Sequence, residues 1–169
     1  MKKIGITLFI FFLTLSAFSQ TSIPRAQAMF IYNFCRLIEW PSAYRSGPFV
    51  IGIIGNSPTH AEINNFISGK RVGTQTVVIK RFTSPGQIEK CHVLFVPFDQ
   101  TKNLSAINSK IGGNSTLIIG EKSDAINNGA TISFAIVADK LKFEIKPTNA
   151  STKNISISGK LTQMAYKVY

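Results

Sequence analysis

The sequence predicts an α/β domain: a mainly parallel central sheet flanked by helices, with a C-terminal antiparallel β-hairpin. Three observations carry this. Short apolar, β-branched runs at 49–54, 76–82, 91–97 and 117–119 alternate with helical patterns at 58–67 and 99–111. That is the order of strands joined by helical crossovers and covered on both faces. Strict period-two alternation starts only after Gly129, in two segments separated by a short turn. About 150 residues follow the N-terminal apolar segment, enough for one domain, 20–169, to bury most of its apolar surface without disulfide staples.

Taken in order, Lys2 and Lys3 precede an apolar run over 4–18, and Ala17 and Ser19 are the small residues a signal peptidase reads before Gln20. The run is short for a membrane span. Residues 1–19 are therefore expected to be a cleaved signal peptide, with the rest working outside the cytoplasm. From 24 to 39 the pattern is helical: Pro24 suits the first turn, and Asn33, Arg36 and Glu39 form a narrow polar stripe. Ala28, Met29, Phe30, Ile31, Phe34, Leu37 and Ile38 cover the remainder, which calls for packing on more than one side. Pro41 ends this helix.

The run 49–54 is a strand closing at Gly55 and Asn56, 58–67 a helix ending near Gly69, 76–82 a second strand, and 91–97 a third with nearly continuous apolar character. Asp99 can cap a helix running to about Ile111, with Gly112 and Gly113 as its stop, and 117–119 is a fourth strand. Segments 131–137 and 141–145 form the hairpin about Ala138, Asp139 and Lys140. Leu141, Phe143 and Ile145 point to one face and Lys140, Lys142, Glu144 and Lys146 to the other, where Glu144 should be exposed. The tail 158–168 reads as a last helix with Leu161, Met164, Ala165 and Val168 on one side.

Lys and Arg number 19 against 8 Asp and Glu; without Lys2 and Lys3 the balance is seventeen to eight, or +9. The basic residues are spread along the chain with no aromatic-interleaved basic helix, and export removes nucleic acid as a partner. An acidic protein patch or an anionic envelope surface fits better, and a lysine-rich surface chosen for solubility is the plain alternative. Cys35 and Cys91 lie in apolar segments and are expected to be free, buried thiols, although an oxidising compartment permits pairing. His60 and His92 have no short metal-ligand spacing. Cys91 and His92 are adjacent on a strand, so they face opposite sides and cannot form a nucleophile–base dyad; a buried cysteine and a strand-edge histidine are expected. Gly52 and Gly55 lack the third glycine of a dinucleotide fingerprint, no Gly-x-Ser-x-Gly elbow occurs, and the acidic residues offer no paired carboxylates. No catalytic residue, metal site or cofactor is expected.

An ordered series of segments resembles the YfiR family of periplasmic regulatory proteins. It runs through Ala28, Met29, Phe30, Ile31, Tyr32, Asn33 and Phe34; Glu39, Trp40 and Pro41; 51–55; Gly69 and Lys70; Cys91, His92 and 93–96; 132–134; Lys142, Phe143, Glu144 and Ile145; and 157–158. Cys35 stands where a small residue would be expected. The resemblance implies a compact α/β domain, often dimeric, that is exported to the periplasm and acts as a repressor. Relatives bind the periplasmic sensor region of an inner-membrane diguanylate cyclase, in cyclic di-GMP signalling, until an outer-membrane lipoprotein sequesters them; others work with a sensor histidine kinase. On this chain it implies structural roles for Tyr32, Asn33, Phe34, Glu39, Trp40, Pro41, Cys91, His92 and Phe143, and partner contacts by Glu144, Phe134 and Lys142. The competing class is a periplasmic small-molecule-binding protein or enzyme with its pocket at the strand ends around Gly55 and Asn56. A small-molecule effector is compatible with either.

Overall fold

Ser22 opens the first helix: its hydroxyl accepts the Arg25 N–H, and Pro24 sits in the first turn of α1 (Ile23–Cys35). The computed structural model describes residues 21–169, so the expected signal peptide at 1–19 lies outside the described residues. The helix stops at Cys35, short of the expected Glu39, because Pro41 favours an extended Trp40 and the preceding pair is drawn into a strand, β1 (Ile38–Glu39). There follow β2 (Phe49–Ile54), α2 (Pro58–Ile67, capped by Ser57), β3 (Arg71–Val72), β4 (Gln75–Phe82) and β5 (Val93–Val96). Residues Phe98–Asn103 form a 3₁₀ turn, so Asp99 caps nothing and α3 (Leu104–Ile111) begins later than expected. The chain continues through β6 (Leu117–Gly120), β7 (Ile132–Val137), β8 (Lys140–Ile145), α4 (Pro147–Ser151), β9 (Ser156–Ile157), α5 (Gly159–Met164) and β10 (Lys167–Val168).

Eight strands form one sheet in the order β10-β8-β7-β6-β5-β2-β4-β3, and β1 pairs with β9 apart from it. The five central strands, β4, β2, β5, β6 and β7, are parallel. From β2 the chain moves outward to β4, then returns past β2 to β5, so the winding reverses between β2 and β5. The hairpin β7–β8 forms where expected but with a tighter turn: Lys140 is already in β8, paired with Val137, and Ala138 and Asp139 alone have φ of 47° and 57°, the paired left-handed conformation of a two-residue turn that matches strand twist. It does not end the sheet, however. The last residues are not helical; they form β10, which adds parallel to β8.

Two apolar layers sandwich the sheet. On one side α1 and α2 bring Ile31, Phe34, Ile63 and Ile67 onto Phe49, Ile51, Ile53, Phe95, Phe134 and Phe143. On the other, Leu104, Ile107 and Ile111 of α3 meet Ile54, Leu94, Val96 and Ile118. Gly52, inside β2, faces this second layer, where a Cβ would come within 2.6 Å of the Phe82 ring.

Candidate functional site

The motif residues around Trp40 build a closed aromatic knot at the amino end of the sheet. Phe49 and His92, from adjacent strand segments, stack with ring centroids 4.2 Å apart, and Trp40 meets Phe49 edge-on at 5.0 Å. Trp40 Nε1 donates to the His92 carbonyl at 3.2 Å. The imidazole is satisfied at both ends: the Val50 N–H donates to Nδ1 at 3.1 Å, and Nε2 donates to the Tyr44 carbonyl at 2.7 Å. That pattern holds the neutral Nε2–H tautomer. Burial is the main cause that pushes its pKa below the usual histidine range. His92 is thus a buried histidine, not one on a strand edge, because the 41–44 segment folds over it. Cys91 lies in the opposite layer, so the two make no dyad. Both cysteines are free and buried; desolvation pushes the Cys91 thiol up to about 12 and raises Cys35 as well. These are packing groups, not nucleophiles.

The other motif residues surround this knot. The Tyr32 hydroxyl donates to the Arg71 carbonyl at 3.0 Å, while Asn33 and Glu39 are exposed. Glu39 approaches Arg45 only to 3.9 Å, an open ion pair that contributes little. Pro41 is half-buried. Among the described residues, no three of His, Cys, Asp and Glu gather as metal ligands.

The second region is the hairpin. Phe134 on β7 and Phe143 on β8 are directly paired, and α1 lays Phe34 on both, at 4.7 Å from Phe143 and 6.0 Å from Phe134. Phe134 is therefore mainly a core residue. Above this base opens a cleft of about 560 Å³ between Ile23 and Gln27 of α1, Phe98 after β5, residues 121–124 after β6, and Ala135, Ile136 and Leu141 of the hairpin. Phe98 and Ile136 stand exposed at its mouth. The Glu121 carboxylate accepts the Phe98 N–H at 2.7 Å, and Lys122 Nζ lies 3.6 Å from the centre of the Phe98 ring. Gln27 is buried and accepts the Thr59 hydroxyl at 2.7 Å. The cleft lies at strand ends as the competing class requires, but not around Gly55 and Asn56. There the Gln100 side chain packs close against Gly55.

Of the three expected contact residues, only Lys142 is exposed. Glu144 is just 7% exposed, contrary to expectation. β10 lies beside it, with Lys167 in register, and the Tyr169 hydroxyl donates to its carboxylate at 3.3 Å. Sequence reasoning also passed over Phe98 and Ile136. Ile136 pairs with Leu141 on the apolar face of the hairpin, where the alternation reads it as one more core residue.

The YfiR/HmsC-like family profile matches residues 24–166, which includes both regions. The chain belongs to the YfiR/HmsC-like family. Trp40, His92 and Phe143, the residues that hold the knot and the hairpin base, all lie inside that match. No curated protein matches the sequence significantly. Among solved structures, a conserved domain protein from Vibrio cholerae O1 biovar El Tor is similar at a TM-score of 0.56 and 13% identity, over 88% of this chain and 60% of that one. An ABC domain from Streptococcus pneumoniae, solved in complex with L-Trp, is similar at 0.57 and 14%, over 86% of this chain and 60% of that one. This YfiR/HmsC-like chain thus spans about 60% of the length of each, and the likeness is one of fold. Among the described residues no helix is long and apolar enough to cross a membrane.

Proposed function

We propose that this YfiR/HmsC-like domain is a periplasmic regulator that binds the periplasmic sensor region of an inner-membrane signalling enzyme, a diguanylate cyclase or a sensor histidine kinase, and represses it. An outer-membrane lipoprotein that competes for the domain would relieve the repression. The observation that carries this reading is the hairpin. Beyond a rigid base of interlocked phenylalanines, the end of the hairpin exposes apolar Ile136 on one face and cationic Lys140 and Lys142 on the other. Such a surface suits protein recognition, with apolar anchors and a charged rim. Regulation needs no chemistry on a substrate. Binding one arrangement of the sensor better than another shifts its equilibrium by that difference in affinity.

Lys142 remains the direct contact of this reading. Glu144 acts by holding Tyr169, and Phe134 by supporting the hairpin from below. The test is a pull-down from solubilised envelopes with the processed chain, paired with gene deletion. A cyclase or kinase should be recovered, and deletion should raise cyclic-dinucleotide or kinase output; unchanged output would sink the proposal. Mass spectrometry of the exported product should find its N-terminus at or near Gln20.

The cleft favours a second reading alongside the first, binding of a small apolar effector, because its volume and mainly apolar walls are those of a ligand site. Occupancy there would press on Ile136 and Leu141 and so reach the contact surface.

A further inference from the structure

We propose that the outer edge formed by β8 and β10 is a strand-addition site for an acidic, extended segment of a partner protein; its partner-protein part rests on the regulatory reading above. β10 covers only the second half of β8. Lys167 and Val168 pair with Glu144 and Ile145, and the N–H groups of Tyr166 and Tyr169 donate to the carbonyls of Phe143 and Ile145 at 2.8 and 3.0 Å. In the ladder with β7, alternate residues of β8 direct their peptide groups inward and outward. Since the Phe143 and Ile145 carbonyls point outward, so do the N–H and C=O of Leu141. Among the described residues no strand continues there, for β10 is last in the sheet order. An added strand would find an unpaired backbone rung at Leu141 and the free flank of β10 beside it.

The side chains say what kind of segment fits. Lys140, Lys142 and Lys167 are exposed along this edge; of the carboxylates on the hairpin, Asp139 stands out at the turn and Glu144 is buried and held by Tyr169. Lysines alone are the usual guard against unwanted strand pairing. Here they stand beside Tyr166, Val168 and Tyr169, which are 41–55% exposed. An edge protected only against association would not leave three large apolar side chains in water. A second copy of the chain would set the same lysines against each other, and like charges across strands repel. An acidic segment with alternating apolar residues satisfies backbone, lysines and aromatics together.

The probe is a labelled octapeptide of alternating Glu and Val, compared with its Lys–Val counterpart and with a Glu–Val version interrupted by proline. With the processed chain at low salt, only the uninterrupted acidic peptide should bind, slowing hydrogen exchange at the Leu141 amide. The double substitution Lys140→Glu with Lys142→Glu should weaken it at least tenfold while leaving the melting temperature in place. Equal binding of acidic and basic peptides, no binding of the acidic one, or protection elsewhere would overturn the assignment. So would protection of Leu141 that grows with protein concentration alone, since the edge would then belong to a second copy. In cells the two proposals separate. Unchanged signalling on gene deletion removes the regulatory reading without touching the peptide result. A double variant that loses the peptide yet still represses shows that the edge serves a partner other than the repressed enzyme.

Discussion

The knot around Trp40 and the edge around β8 and β10 share one sheet and differ in how their polar groups are spent. In the knot, Trp40 Nε1, both ring nitrogens of His92 and the Val50 N–H are all engaged within the chain. At the edge, a backbone rung, three lysines and three large apolar side chains face outward. A buried group without a partner is costly, so the closed region admits few residue types and reads as a motif. The open region can be made of common ones. Distinctive residues here mark what holds the fold, and unremarkable lysines and tyrosines mark what the fold presents.

The contrast is most easily broken at its closed end. Trp40→Ala should cost about 3–5 kcal/mol, through the cavity left against Phe49 and the lost hydrogen bond to His92. Urea unfolding would measure it, and a loss below about 1 kcal/mol would mean the knot is not the keystone described. Glu144→Lys lies on the boundary between the two regions. Because Glu144 is buried under β10, the substitution should destabilise by about 1–3 kcal/mol and free the C-terminal strand, visible as faster amide exchange at Tyr166 and Tyr169.

A smaller effect separates the regions by pH. The folded protein lowers the His92 pKa below its unfolded value near 6.5, so in that window the unfolded chain binds more protons. Stability from this group is complete above about pH 6.5 and is lost as pH falls through the folded pKa, at no more than about 1.4 kcal/mol per pH unit. Unfolding curves at stepped pH should show this decline, and His92→Phe should flatten it. Smallest of all is Lys142→Glu, whose exposed side chain makes no hydrogen bond or ion pair among those described. Stability should move by less than about 0.5 kcal/mol while envelope capture falls, and a clear loss of stability would place Lys142 with the structural residues instead.

Legibility in the sequence follows the range of the forces involved. β2 was readable to the residue, since 49–54 is wholly apolar between Pro48 and Gly55, and α2 was equally plain between Ser57 and Gly69. The place of the hairpin turn was readable because it is local, although Lys140, expected in the turn, belongs to β8. The end of α1 was not, because Ile38 and Glu39 are extended by pairing with residues 156 and 157, more than a hundred positions away. β10 was missed for the same reason: its apolar residues carry a helical spacing, and only the proximity of β8 makes the extended form better. Glu144 inherits that error, since nothing local says a distant tyrosine will cover it. The cleft was invisible because Phe98 and Ile136 matter by where α1 begins, which no local pattern contains.

Cys35 and Cys91 lie in different apolar layers, with the sheet between them. In the native chain neither sulfur can reach the other, and desolvation keeps both as thiols rather than reactive thiolates. The native form thus gains nothing from an oxidant. A bridge between them could form only before the sheet does, and it would have to break before the sheet could close. Maturation of this domain is therefore a race that folding must win against oxidation, and its yield should improve where thiol oxidases are absent.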